Sequence, residues 1–222
     1  MSSPLKELRA MRVSYSQFGE DLVVRTHFTG DFDNSIGRFI DVGAFHPSKY
    51  SNTMLLSQLG WRGINIDCEP AKIARFEKLR PQDHNICAAV GEAPGEMIYL
   101  EYPSEGLTNR IVDSGEKNLL SSIGEKPLKV NPIRVMTLTH IIEQSVFRGQ
   151  HFHYLNVDCE GQDLSVLKGL DFSRYSPELI TVEAFNKTAR AELAAFLVDR
   201  GYELTDMVHL TLFFSKYPTL VV

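Results

Sequence analysis

The chain of 222 residues is short of cysteine, of positive charge and of long apolar runs. Its three cysteines, Cys68, Cys87 and Cys159, are too scattered for a zinc knuckle and too few for a disulfide scaffold. They read as reduced thiols. Lysine and arginine number 23 against 28 acids, a net charge of −5, which argues against nucleic acid as the main partner because phosphate binding needs a basic face. No run approaches a transmembrane span, and MSSPLKELRAMRVSYSQ lacks the apolar core of a signal peptide. A cytoplasmic protein is the expectation. Also missing is the Gly-x-Gly-x-x-Gly with which a backbone approaches a pyrophosphate. Where it would stand, FIDVGAFHP (39–47) has one acid and one glycine.

What is present is an alternation of apolar, β-branched runs with helix-like segments, the pattern of a parallel sheet covered by helices. Strands are expected at 38–42, 63–67, 85–90, 153–158, 179–183 and 209–215, with a terminal β pair formed with 202–205. Helices are expected at 51–59, 71–80 and 189–200, each ended by glycine, proline or both. GEMIYLEY (95–102) alternates like an edge hairpin strand. The length suits a single domain over 1–222, with an N-terminal helical cap at about 1–35. Residues 104–132, polar and without periodicity, read as a lid or substrate loop that selects the acceptor.

Ligands of such sheets sit beyond the carboxyl ends of the strands. Four expected strands end in acids there: Asp41 before Gly43, Asp67 before Cys68 and Glu69, Asp158 before Glu160, and Glu183 before Asn186. Such acids repel one another unless a cation, a cationic ligand or hydroxyl donors offset them. One glycine beside an acid disfavours phosphate, while Asp67 or Glu69 suits a ribose diol. A ribose without pyrophosphate, next to carboxylates, points to S-adenosylmethionine.

The stretches SQFGED (16–21), FIDVGAFHP, SNTMLLSQLGWRGINID (51–67), RPQDHN (80–85) and LNVDCEGQDLSVLKGLDF (155–172) together closely resemble the FkbM family of S-adenosylmethionine-dependent methyltransferases. The likeness runs from about Ser14 to Asn186. It implies a class I methyltransferase fold, a Rossmann-like doubly wound α/β sheet of about seven strands with the last antiparallel. Carried over, Asp41, Gly43, Ala44 and Phe45 would line the methionine part of the cofactor, with Asn52 and Thr53 also in the cofactor set. Asp67 would hold the ribose, with Cys68 beside it and Glu69 as the alternative. Ala88, Ala89 and Val90 would flank the adenine, and Asp158 would lie near the amino group and the methyl. Gln17, Glu20 and Asp21 match a motif that packs over the pocket. Cys159 stands where relatives often have valine.

Many relatives O-methylate sugars or polyketide hydroxyls, so a saccharide or other small hydroxylated acceptor is expected. A sugar hydroxyl is a poor acid and needs a base or a metal. Asp158, Glu160, Glu183, His46 and His209 are the base candidates. Asp158, Glu183 and Asn186 resemble the oxygen ligands of Mg²⁺-dependent O-methyltransferases, which makes Mg²⁺ a second candidate cofactor. Glu160 has an alternative use, bonding the amides that open the following helix. Methylation of nitrogen or carboxylate, and cofactor binding without catalysis, stay open. So does oligomeric state, a homodimer included.

Overall fold

The computed structural model describes residues 12–28, 37–101, 110–112 and 128–217. In chain order the described elements are α1 (Glu20–His27), β1 (Arg38–Val42), α2 (Met54–Gln58), β2 (Arg62–Asp67), α3 (Pro70–Leu79), β3 (His84–Cys87), β4 (Ala89–Val90), β5 (Gly95–Glu101), β6 (Arg110–Val112), β7 (Lys129–Met136), α4 (Leu138–Gln144), β8 (Tyr154–Val157), α5 (Asp163–Lys168), β9 (Leu179–Glu183), α6 (Lys187–Val198), β10 (Glu203–Val208) and β11 (Thr211–Ser215). None of the described helices is long and apolar enough to cross a membrane.

Seven strands form the main sheet in the order β10-β11-β9-β8-β1-β2-β3. All neighbours from β9 to β3 pair in parallel, and β11 runs antiparallel to both β9 and β10. The chain builds outward from β1 to β3, then returns to β8 on the other side of β1. That reversal opens a crevice above the ends of β1 and β8, where doubly wound sheets take their ligands. Both faces of the sheet are buried. Ile40, Ile64, Leu155, Ile180 and Phe214 pack into one cluster with Ile141, Val166 and Leu197 from α4, α5 and α6. Phe39, Tyr154, Leu179 and Phe213 pack into another with Val24 from α1 and Leu56 from α2. Adjacent residues thus serve opposite apolar faces, which is why these strands read as continuous rather than alternating hydrophobic runs.

The expected strand at 85–90 divides. After Cys87 the chain leaves β2, with the Ala88 amide still bonded to Asp67 O, and β4 pairs with β7 in a second sheet ordered β4-β7-β5-β6. GEMIYLE is β5, antiparallel to both neighbours, as its alternation suggested. The stretch 104–132, read as lacking periodicity, holds β6 and the start of β7; its remaining residues, like most of the N-terminal cap outside 12–28, lie outside the described ones. Pro132 is tolerated inside β7 because β4 pairs only with Val135 and Met136, leaving β7 an edge at the proline.

Candidate functional site

A cavity of about 530 Å³ opens at the carboxyl ends of β1, β2, β8 and β9, within the usual range for small-molecule sites. Its floor is made by the turn after β1. The amides of Gly43 and Ala44 both bond Ile66 O, and the Asp158 amide bonds Val42 O, so the turn is clamped between β2 and β8. Gly43 has φ of 77°, and a Cβ there would overlap the Asp158 carbonyl. Only glycine satisfies both demands.

Asp41 forms the centre of a buried network beneath this turn. Thr53 Oγ1 donates to Asp41 Oδ2 at 2.6 Å, and Asn156 Nδ2 donates to Oδ1 at 2.9 Å. Thr53 in turn accepts from Arg80 Nη1 at 3.0 Å, and Arg80 Nε pairs with Asp83 at 2.8 Å. Asn52 Nδ2 and Thr181 Oγ1 both donate to Asn156 Oδ1. Burial pushes the Asp41 carboxyl up, and the Thr53 and Asn156 donors pull it back. Asp41 edges the cavity, but its oxygens are committed to protein donors; Thr53 does not line the cavity.

At the end of β2, Asp67 Oδ1 accepts the Glu69 amide at 2.9 Å and Oδ2 the Phe45 amide at 3.1 Å. Lys72 Nζ lies 3.6 Å from Asp67 and 3.4 Å from Glu69. Burial raises the Asp67 carboxyl and the Lys72 ammonium opposes that. Of the two ribose candidates, Asp67 lines the cavity and Glu69 does not. Glu69 instead accepts from Tyr99 Oη at 3.3 Å. Cys68, Phe45 and Ala88 to Val90 complete this half.

The other half collects Asn52, Asp158, Glu160, Glu183 and His209, joined by Gln17 and Glu20 from the N-terminal segment. Asp158 opens to the cavity, and its carboxyl is raised first by lost hydration and then by neighbouring negative charge. Glu183 is raised for the same two reasons, and a hydrogen bond joins the two side chains. Glu183 Oε2 is buried with no N–H or hydroxyl donor, which suits a protonated carboxyl donating to Asp158. The pair therefore holds one proton near neutrality and titrates as a unit.

The remaining expected residues are placed elsewhere. His46 does not line the cavity; its Nδ1 accepts the Ser48 and Lys49 amides, and burial lowers its pKa, so it serves the turn as a neutral acceptor. Asp21 is fully buried and gathers the Ser14 and Ser16 hydroxyls and the Tyr15 amide. Asn186 Oδ1 accepts the Ala189 amide and caps α6. With Asn186 so used, Asp158 and Glu183 are the carboxyls that remain of the three expected Mg²⁺ ligands. At the start of α5 Asp163 bonds amides: it accepts from Cys159 and Gly161 at 2.9 and 3.0 Å, and burial raises it to about 7.

Several cavity residues were not singled out by the sequence: Phe18, Tyr50, Lys72, Tyr99, Phe185 and Thr211. Tyr99 comes from the second sheet and Thr211 from β11, so only tertiary structure brings them in. Phe18 and Lys72 lie in SQFGED and CEPAK, where proximity to the acids is a signal in retrospect. Among the described residues, one trio has ligand atoms within 4.8 Å of one another, His151, His153 and Glu178. It sits at the opposite end of the sheet, and His153 Nδ1 is engaged by the Arg38 amide at 3.1 Å.

A seven-stranded doubly wound sheet with one antiparallel strand next to its edge, and a crevice at the β1/β8 reversal, define a class I methyltransferase fold. The methyltransferase FkbM domain family matches residues 41–204, well over half of the chain, and the protein belongs to that family. Its class of reaction is methyl transfer. Among solved structures, the human methyltransferase 10 domain containing protein is 13% identical with a TM-score of 0.41, the match covering 89% of this chain and 83% of that one. The delta-N METTL16 MTase domain is 11% identical with a TM-score of 0.37, covering 88% and 81%. At these values nothing about substrate follows. A search of curated proteins found no match to the chain.

Proposed function

We propose that this FkbM-family protein transfers a methyl group from S-adenosylmethionine to a hydroxyl of a sugar or related small hydroxylated metabolite. The observation that carries the reading is the clamped Gly43 turn, which presents side-chain-free backbone to the cavity between Asp67 and Asp158. Asp67 would accept from the ribose hydroxyls, Ala88 and Ala89 would lie against the base, and the Gly43–Ala44 turn would carry the methionine part. When bound, the sulfonium supplies an activated methyl group.

The chain's own task is to align an acceptor oxygen and take its proton. Alignment in a closed site supplies several kcal/mol of the barrier reduction. Asp158, open to the cavity and hydrogen-bonded by Glu183, is the positioned base; a base of this kind contributes about 10²–10⁴-fold. Glu160 adds negative charge beside it, and no step requires a metal. A second reading, methylation of an amine, is favoured by one observation: Glu20, Asp158, Glu160 and Glu183 line this half of the cavity with no lysine or arginine among the described lining residues there. Calorimetry with S-adenosylmethionine and S-adenosylhomocysteine tests the cofactor, and binding of neither refutes it. Turnover that survives EDTA is the expected result for a metal-independent base; abolition by EDTA with rescue by Mg²⁺ overturns that part.

A further inference from the structure

Among the described residues, four non-glycine residues have left-handed backbone: Phe45, Tyr50, Glu160 and His209, with φ between 50° and 55°. All four line the cavity. Such residues are uncommon, cost roughly 1–3 kcal/mol each, and cluster where function demands them. His209 is the clearest case. Val208 pairs with Thr211, so His209 and Leu210 form a two-residue hairpin loop with positive φ at its first position. Glycine ordinarily stands there. A histidine in that place destabilises the turn, so its value lies in the ring.

That ring packs on Phe18 with centroids 4.0 Å apart. Leu210 O bonds the Ala184 amide, which sets the hairpin loop beside Glu183 and Phe185. Phe18 and Phe185 are 49% and 46% exposed although both line the cavity. Three rings thus border a cavity half whose described lining residues include carboxyls and no lysine or arginine. Lys72, the lysine among the described lining residues, is paired with Asp67 at the end of β2.

We propose that Phe18, Phe185 and His209 form the acceptor subsite, and that it takes a ring-bearing molecule without anionic groups. This rests on the methyltransferase reading of the same cavity. Ring faces stack on such side chains. A phosphate or carboxylate entering the half lined by Glu20, Asp158 and Glu160 meets acidic side chains and, among the described lining residues there, no lysine or arginine, which selects against it.

The test uses saturation-transfer NMR on the full chain loaded with S-adenosylhomocysteine, with two matched probe pairs: phenol against phenyl phosphate, and benzyl alcohol against benzoate. Calorimetric binding of S-adenosylhomocysteine is measured first; its absence refutes the cofactor reading and this proposal with it. Given that binding, the neutral member of each pair is expected to bind about tenfold more tightly than the anionic one. Phe18→Ala and His209→Gly should each weaken the neutral probes roughly five- to tenfold, with cofactor-product affinity changed less than about threefold. His209→Gly should melt no lower than wild type, since glycine fits the turn; should it fail to fold, Phe18→Ala, at a half-exposed site, decides alone. Equal or tighter binding of the anionic probes, no binding of any ring probe, or retained probe binding in the variants overturns the proposal.

Discussion

Replacing Thr53 by valine keeps the shape of the side chain and removes one hydroxyl that serves two buried charges. Thr53 is fully buried, donates to Asp41 and accepts from Arg80. A hydrogen bond to a charged group is worth about 1.5–3 kcal/mol, so the two together set a ceiling near 6 kcal/mol. Asp41 keeps its bond from Asn156 and Arg80 keeps Asp83, so the expected loss is the lower half, about 3 kcal/mol. That is a large share of the 5–15 kcal/mol typical of a whole domain. The loss should also depend on pH. Burial already raises the Asp41 pKa above its ordinary 3.8 and Thr53 opposes this, so Thr53→Val raises it further. Between the unfolded and folded pKa values the folded chain keeps a proton that the unfolded chain has lost, so stability falls as pH rises through that window. Urea denaturation at pH 5 and pH 8 should show the larger deficit at pH 8. A deficit under about 1 kcal/mol, or one equal at both pH values, would refute the network as described.

Gly43→Ala combines left-handed strain with overlap on the Asp158 carbonyl; a loss of about 2–5 kcal/mol and of S-adenosylhomocysteine binding is expected by denaturation and calorimetry. Because Asp158 and Glu183 keep one proton near neutrality, binding the sulfonium of S-adenosylmethionine at pH 7 should expel part of it, and S-adenosylhomocysteine should expel less. Calorimetry in buffers of different ionisation enthalpy reads this difference, which Glu183→Gln should abolish. Asp163, raised to about 7 from 3.8, contributes stability at low pH that is lost as pH climbs between those values. Asp163→Asn should flatten that slope in denaturation curves at pH 4.5 to 7.5, and an unchanged slope assigns it elsewhere.

The main sheet was legible because its strands are buried on both faces: RFIDV and LITVE carry no polar alternation to confuse with a helix, and both matched to the residue. The second sheet was half legible. GEMIYLE alternates, but its partner β7 contains Pro132, which marks a non-strand unless the pairing is known to be one-sided there. The seven-residue α4 was not read, while α1 fell inside the expected N-terminal helical cap and α5 was expected only as the helix after Glu160, without bounds. At the site, sequence located acids at strand ends but not what they touch. The partners of Asp41 are 12 and 115 residues away, and only the fold brings them to one carboxylate.

Those strand-end acids pose a single electrostatic problem with three separate solutions. Asp41 is neutralised in effect by a threonine and an asparagine backed by a buried arginine. Asp67 is held by two amides and by Lys72. Asp158 and Glu183 have neither, and keep a shared proton instead. The first two solutions are fixed by geometry and insensitive to what enters the cavity. The third responds to a cation, to pH and to an acceptor proton. The proposed base chemistry accordingly falls at the β8–β9 end of the crevice, while the hydrogen bonds of the β1–β2 end hold its shape. The left-handed His209 stands beside that reactive end, pinned by the β9–β11 pairing to Glu183. A side chain kept at a strained turn, next to the carboxyls free to exchange a proton, is where selection of the acceptor and removal of its proton can be coupled.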